Sequence, residues 1–151
     1  METSGCRSSS KSSLKSQTAQ ALVEFALVLP LLMLLILGVI EFGRVFQTKI
    51  VMENAAREGA HYMIYDRGDP DNGFPNTISA VVTEAVNSGV TLDSTEVIVR
   101  CLTAGVVNSP PNNCPSGTTV EVLVIKDYQM SILGFLSGAI PLNSNARMFV
   151  P

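Results

Sequence analysis

A run of twenty residues from Ala21 to Ile40 is apolar apart from one charged side chain, that of Glu24. Twenty residues of α-helix extend about 30 Å, which is the thickness of the hydrocarbon layer of a bilayer. The apolar core of a secretory signal peptide is shorter, about 7–15 residues, and a cleavage site made of small residues follows it. Here Glu41 and Arg44 follow the run instead. The pattern therefore predicts a transmembrane helix over residues 21–40 that is retained as an anchor.

Beyond the run, apolar residues recur at three- and four-residue steps up to about Tyr65, which predicts that the helix continues as an amphipathic stalk. The stalk requires a packing partner, either the rest of the chain or a neighbouring subunit. Within the span, Pro30 has no backbone N–H to donate, so we expect a helix kink there. The apolar stripe is expected to consist of Phe42, Val45, Phe46, Met52, Ala56, Ala60 and Met63.

The rest of the chain, residues 66–151, contains short segments with helical or strand patterns, which are typical of a small domain. A helix over residues 76–89, N-capped by Asn76 or Thr77, is expected first. Alternating β-branched residues then predict strands, and an apolar segment is compatible with a short helix. The strands are expected within 94–102, 118–128 and 145–151, and the apolar segment is 130–142. The sequence thus predicts an α+β fold, in which a long N-terminal helix leads into a domain with an antiparallel sheet.

Charge indicates how the anchor is oriented. Residues 1–19 are rich in serine, are expected to be disordered, and carry three basic residues against one acidic. Basic flanks remain in the cytoplasm, so this leader is cytoplasmic and the C-terminal domain is extracytoplasmic. With 46% hydrophobic and 15% charged residues, the chain is typical of a single-pass protein of the cytoplasmic membrane. Its partner is then the lipid bilayer, and the seven basic against twelve acidic residues beyond position 19 argue against nucleic acid.

Two cysteines, Cys101 and Cys114, fall on the exported side, where disulfides persist. The segment CLTAGVVNSPPNNC that they bound is loop-like, and closing a loop of this length contributes roughly 3 kcal/mol in the chain-entropy model. We therefore expect a disulfide between them, with two unpaired thiols as the alternative.

Little in the sequence points to catalysis. The chain has one histidine, His61, and no nucleophile–base pairing, metal-ligand spacing or glycine-rich phosphate loop is recognisable. We expect no enzyme activity, no cofactor and no metal. The segment 66–76 contains Arg67-Gly68-Asp69, a tripeptide that some adhesion receptors bind, and three aspartates that suggest calcium. A solvated turn is the simpler interpretation of this loop.

Glu24 is the anomaly of the span, because a carboxylate in hydrocarbon costs about 2.5–3.5 kcal/mol on insertion scales. It could reach the cytoplasmic headgroups, become protonated, or pair with a cation. If the chain were cut before Gln20, the new α-amino group would stand four residues from Glu24 on the same helix face. In a staggered bundle of such helices, the amine of one helix could also meet Glu24 of the next.

Three segments carry a resemblance to a known family: ALVEFALVLP, EFGRVF and NAAREGA, which follow a basic, polar leader. Together they resemble the N-terminal block of TadE-like proteins, which are pseudopilins of tight-adherence (Flp-type) pilus systems. The resemblance implies cleavage by a membrane prepilin peptidase between Ala19 and Gln20, with Glu24 at the fifth position of the mature chain. The residue before the cut is usually glycine in that family, and here it is alanine. Without cleavage, Glu24 would have to lie at the membrane interface.

The resemblance implies a minor pilin-like subunit that acts in pilus assembly, with the prepilin peptidase, other pilins and pilus-assembly membrane proteins as partners. Its helix would pack among similar helices, and its exported domain would determine which partner it meets. The alternative is a signal-anchored extracytoplasmic adhesin or surface-binding protein that is not processed as a pilin. In that case Glu24 would only snorkel to the interface. The resulting organisation is a leader at 1–19, a helix at 20–65 and an exported domain at 66–151.

Overall fold

The computed structural model describes residues 11–65, 73–103, 106–108, 114–130 and 138–151, with side chains from residue 19 onward in the first helix. The first helix, α1, is Lys11–Tyr65, and the second, α2, is Gly73–Asn87. A 3-10 turn, Ser94–Glu96, leads into the sheet. The strands of the described residues are β1 (Val97–Thr103), β2 (Val106–Asn108), β3 (Thr119–Gln129) and β4 (Ala139–Phe149). The α+β class predicted from the sequence is confirmed.

The chain divides into two units between Ile40 and Glu41. In the first unit, the side chains from Ala19 to Ile40 are exposed, apart from that of the half-buried Leu37. Exposed apolar side chains all around a helix of this length suit a lipid environment, and α1 contains a candidate membrane span by length and composition. The helix continues through Pro30. The kink at that residue stays a prediction.

Helix α1 begins nine residues earlier than expected, at Lys11 instead of Gln20. The expectation of disorder was therefore wrong for residues 11–19, while residues 1–10 lie outside the described part of the chain. No glycine or proline interrupts the sequence between Lys11 and Leu29. A helix that already exists extends residue by residue without a new nucleation cost, which explains why the polar leader joins it.

The second unit packs the later part of α1, together with α2, against one face of the sheet. The strand order is β2-β1-β3-β4, and each neighbouring pair is antiparallel. Register places Val97 opposite Val124 and Cys101 opposite Val120, so these alternate side chains share one face. All four are buried in one hydrophobic core with residues of both helices, including Met52, Ala56 and Val81.

Helix α2 starts at Gly73, three residues before the predicted helix. Pro75 lies in its first turn, where backbone N–H groups have no intrahelical acceptor and the missing donor costs little. Asn76 and Thr77 are therefore inside the helix, and the predicted N-cap was wrong. Thr77 is fully buried, and its hydroxyl donates a hydrogen bond to the Sδ atom of Met63 at 3.4 Å.

The sheet is larger than the sequence indicated. Strand β2 lies within the segment between Cys101 and Cys114, which we expected to be loop-like. Strand β4 begins at Ala139, so the end of the apolar segment 130–142 is strand and not helix. Ala139 and Ile140 lie opposite Gln129 and Tyr128, and pairing with the long strand β3 supplies backbone hydrogen bonds that no local pattern reveals. Residues 131–137 of that segment lie outside the described residues.

The apolar stripe predicted on the stalk divides into two. Met52, Ala56, Ala60 and Met63 are buried in the core, as required for packing against the domain. Phe42 and Phe46 are exposed, and Val45 is half-buried. Each helical residue advances about 100°, so a series that mixes three- and four-residue steps drifts around the axis and does not define one face.

Small residues line α1 where it meets α2 and the sheet. Ala55, Ala56 and Ala60 are completely buried, and Gly59 lies among them. A methyl group added at Gly59 would overlap Cγ2 of Val81 on α2 and would lie 3.5 Å from Cγ1 of Val122 on β3. The segment NAAREGA therefore has a structural function, because its small side chains allow close approach of two elements to one helix.

We predict that Gly59→Ala lowers the stability of the second unit by about 1–3 kcal/mol, because the added methyl group overpacks the core against Val81. Thermal unfolding of the detergent-solubilised protein, followed by circular dichroism, measures the change. Gly43→Ala is the matched control, since no atom lies within 4 Å of a methyl group there. Val81→Ala should couple favourably with Gly59→Ala in a double-mutant cycle. Equal melting temperatures for the two glycine variants would contradict this packing.

Candidate functional site

Gln20 and Glu24 lie one helical turn apart on the exposed surface of α1. The side-chain amide Nε2 of Gln20 donates a hydrogen bond to Oε1 of Glu24 at 3.3 Å. Ala19, the residue before the predicted cut, directly precedes Gln20 in the same helix and is also exposed. The structure thus brings together the residues that the sequence analysis selected for cleavage and for charge pairing.

The partner of Glu24 in the uncut chain is a neutral amide. An amide donates a hydrogen bond to a carboxylate but does not cancel its charge. The backbone nitrogen of Gln20 is part of a peptide bond within α1, which begins at Lys11. Cleavage would turn that nitrogen into an ammonium group without requiring Glu24 to change its position in the helix.

A second carboxylate, Glu41, follows the apolar run directly, and it is only 4% exposed. Its Oε1 accepts a hydrogen bond from the hydroxyl of Tyr128 on β3 at 3.3 Å. Arg44, one turn further along α1, places Nη1 3.8 Å from Oε2 of Glu41. A buried carboxylate is costly unless it is both paired and hydrogen-bonded. Tyr128 and Arg44 meet these two requirements at the start of the second unit.

The Tyr128 hydroxyl keeps the proton with which it donates a hydrogen bond to Glu41. Burial raises its pKa, the charge of Arg44 opposes that rise, and the Glu41 carboxylate adds to it. The hydroxyl therefore keeps its proton to higher pH than an ordinary tyrosine, whose pKa is about 10. Because the folded-state pKa is raised, the associated stabilisation is fully present below about pH 10 and is lost as the pH rises through the folded-state value.

Sequence reasoning missed Tyr128 and treated Glu41 only as a polar flank. The one available signal was a glutamate placed directly after twenty apolar residues, where a buried carboxylate would need a donor. That signal does not identify the donor, because 87 positions separate Glu41 from Tyr128 along the chain. Only the folding of β3 against α1 brings the two residues together.

The predicted disulfide is present. Cys101 and Cys114 are bonded, with their Cα atoms 5.5 Å apart. Both cysteines are buried in the core, Cys101 on β1 and Cys114 shortly before β3. The bridge therefore closes the segment that contains β2 and ties it to the centre of the sheet.

Other sequence predictions concern surface groups. The loop residues Arg67, Gly68 and Asp69 lie outside the described residues, so their adhesive and calcium-binding interpretations stay predictions. The ring of His61 contacts the ring of Tyr65, with centroids 4.5 Å apart. Across the part of the chain that the structure describes, no group of three or more His, Cys, Asp or Glu side chains is arranged to hold a metal ion.

Comparison with known protein families gives a match within the first helix. A family model described as TadE-like protein matches residues 19–61. The matched region begins at Ala19, includes Glu24, Glu41 and Gly59, and ends within α1, before any part of the sheet. No curated protein and no solved structure matches the chain. The family match thus characterises α1, and the sheet has to be interpreted from its own structure.

We predict that Tyr128→Phe destabilises the second unit by about 1–3 kcal/mol, because buried Glu41 loses a hydrogen-bond donor. The melting temperature of the detergent-solubilised protein near pH 7 reports the loss. Tyr65→Phe is the matched control, since the Tyr65 side chain is 76% exposed and the substitution keeps its ring. If both phenylalanine variants melt at the same temperature, the Tyr128–Glu41 hydrogen bond contributes nothing measurable.

Proposed function

Because a TadE-like family model matches residues 19–61, we propose that the chain is a pilin-like minor subunit that acts in assembly of a tight-adherence type pilus. It is anchored in the cytoplasmic membrane by α1, with its N-terminus in the cytoplasm and the sheet domain outside. Its role is structural and not enzymatic. The observation that supports this proposal best is the family match on a helix whose apolar side chains are exposed and whose apolar run from Ala21 to Ile40 contains one charged residue, Glu24.

The first step of the proposal is cleavage of the Ala19–Gln20 bond by a prepilin peptidase. This bond lies within α1, and a peptidase requires an extended substrate backbone. The helical turns around the bond therefore have to unwind before cleavage. Ser12, Ser13, Ser16 and Thr18 favour such opening, because serine and threonine have lower helix propensity than alanine or leucine. Ala19 is small enough to stand in for the glycine that is usual at this position in the family.

The second step is neutralisation of Glu24. After cleavage, the ammonium group of Gln20 begins the helix, and Glu24 lies one turn away on the same face. Two unit charges 4 Å apart attract by about 4 kcal/mol at an effective dielectric constant of 20. This is comparable to the roughly 2.5–3.5 kcal/mol that a charged residue costs at the centre of a membrane helix. One amine, from the same or a neighbouring helix, therefore offsets part of the cost of the carboxylate.

The same charge pair accounts for a role in assembly. A helix that carries an ammonium group and a carboxylate one turn apart can exchange its internal pair for one pair with each of two neighbours, which are shifted in opposite directions along the axis. Such an exchange conserves the number of ion pairs and fixes the stagger of neighbouring helices. The proposed partners are accordingly other pilins and pilus-assembly membrane proteins, contacted through α1 in the bilayer.

We predict that the protein, produced together with its cognate prepilin peptidase, loses residues 1–19, because the small Ala19 side chain is accepted before the cut. The intact mass of the membrane-extracted protein measures this. A catalytically inactive peptidase should yield the full chain, and Ala19→Phe should block cleavage with the active enzyme. A full-length product with the active peptidase would rule out processing and favour the signal-anchored, surface-binding alternative.

We predict that Glu24→Gln prevents co-purification with the other pilins of the system as effectively as Glu24→Ala does, because the amide retains size and hydrogen bonding but lacks the charge. Glu24→Asp, which keeps the charge on a shorter side chain, should retain part of the association. All three variants should remain in the membrane fraction. Normal association of Glu24→Gln would show that the charge of this residue has no part in assembly.

A further inference from the structure

Three large apolar side chains of the second unit recur every four residues along α1 and are exposed to solvent. Phe42 is 72% exposed, Phe46 59% and Ile50 44%. The two aromatic rings stack on each other, with centroids 6.5 Å apart. We refer to Phe42, Phe46 and Ile50 as the phenylalanine stripe. An exposed, contiguous apolar surface of this kind marks an interaction site.

The phenylalanine stripe has a sharp polar boundary. On the same side of α1, Glu53 and Arg57 follow Ile50 and form an ion pair with each other. The other limit of the stripe is the apolar span, since Phe42 comes two residues after Ile40. At these four-residue steps the exposed side chains are thus apolar as far as Ile50, and charged residues follow one turn later. Lys49, which borders the stripe, is half-buried and donates a hydrogen bond to the backbone carbonyl of Asn143.

The length of helix indicates where the membrane ends. If the Glu24 carboxylate lies at the cytoplasmic headgroups, about 30 Å of hydrocarbon extends over the next twenty residues of α1, to Arg44. Phe42 then lies among the acyl chains and Phe46 at their boundary with the headgroups. Aromatic side chains are enriched at this boundary in membrane proteins, and arginine reaches from it into the headgroups. Ile40, the last residue of the apolar run, does not mark the boundary.

The surroundings of Glu41 agree with this position of the membrane boundary along α1. It follows Glu24 by 17 residues, about 26 Å of helix, and thus falls inside the hydrocarbon layer. A carboxylate at that depth has to be shielded from lipid. Glu41 is buried, accepts the Tyr128 hydroxyl and lies beside Arg44, whereas the neighbouring Phe42 is exposed. The protein shields the charged side chain and leaves the aromatic one uncovered.

From these observations we propose that the phenylalanine stripe is a lipid-binding surface. It is embedded at the acyl–headgroup boundary of the outer leaflet, with Phe46 at that boundary. The ligand is the phospholipid leaflet itself. This inference requires that α1 is inserted in the membrane with Glu24 at the cytoplasmic headgroups, and it does not depend on cleavage or on assembly.

Single-tryptophan variants test the inference directly, because the chain contains no tryptophan. Full-length, uncleaved protein is reconstituted in phosphatidylcholine vesicles with and without brominated acyl chains, which quench tryptophan on contact. Phe42→Trp and Phe46→Trp report on the stripe. Asn54→Trp and Glu58→Trp are matched controls at exposed polar positions of the same helix, further from the apolar run. Leu34→Trp, within the apolar run, reports on insertion of the span.

We expect Phe42→Trp and Phe46→Trp to lose most of their fluorescence in brominated vesicles and to emit at shorter wavelengths than the two controls. Cys101–Cys114 disulfide formation in each variant confirms that the domain has folded. If Leu34→Trp is quenched while both stripe reporters behave like Asn54→Trp, the span is inserted and this inference is wrong. Failure of all three reporters to be quenched would instead contradict membrane anchoring, and with it the proposed function.

One further outcome would assign the stripe to a different ligand. Blue-shifted emission that bromination does not quench, and that disappears on dilution of protein into excess lipid, would mean that a second copy of the chain covers the stripe. That result would also overturn the lipid-binding proposal.

Discussion

Hydrocarbon excludes charge, and a carboxylate lies at each end of the apolar part of α1. The protein has to compensate the charge of both. Glu24 is exposed and accepts a hydrogen bond from the amide of Gln20 in the uncut chain. Glu41 is buried and accepts one from Tyr128, with Arg44 nearby. The difference is chemical. The charge of Glu41 is compensated by groups of the same folded unit, whereas the partner that the structure shows for Glu24 among its described side chains is a neutral amide.

This contrast gives the two carboxylates different roles. A carboxylate that is satisfied within its own fold, like Glu41, contributes to the stability and position of the domain. A carboxylate with an exposed, neutral partner, like Glu24, remains available to another group, and the proposed cleavage would place an amine four residues away from it. The family match covers both residues but ends before the sheet. The proposed anchoring and assembly therefore rest on α1, whereas the family match does not extend to the sheet domain.

A single helix contributes two kinds of surface because its side chains change in size along the chain. Up to Ile50, large aliphatic and aromatic residues leave an apolar surface exposed. From Ala55 to Ala60, alanine and glycine let α2 and β3 approach closely, and Gly59 has no room for a methyl group beside Val81. The disulfide between Cys101 and Cys114 then ties the β2 segment to the core that forms against this part of α1.

The sequence by itself determined the apolar span, the helix as far as Tyr65, the α+β class, the disulfide and the pairing of Gln20 with Glu24 on one face. Each of these depends on composition or on residues a few positions apart, where helical and strand periods apply directly. Only the tertiary structure decided that Tyr128 meets Glu41, that β2 and the start of β4 are strands, and that Phe42 and Phe46 stay exposed while Met52 is buried. Those features depend on which distant segment lies alongside each residue, because strand pairing and core packing join positions that no local pattern connects.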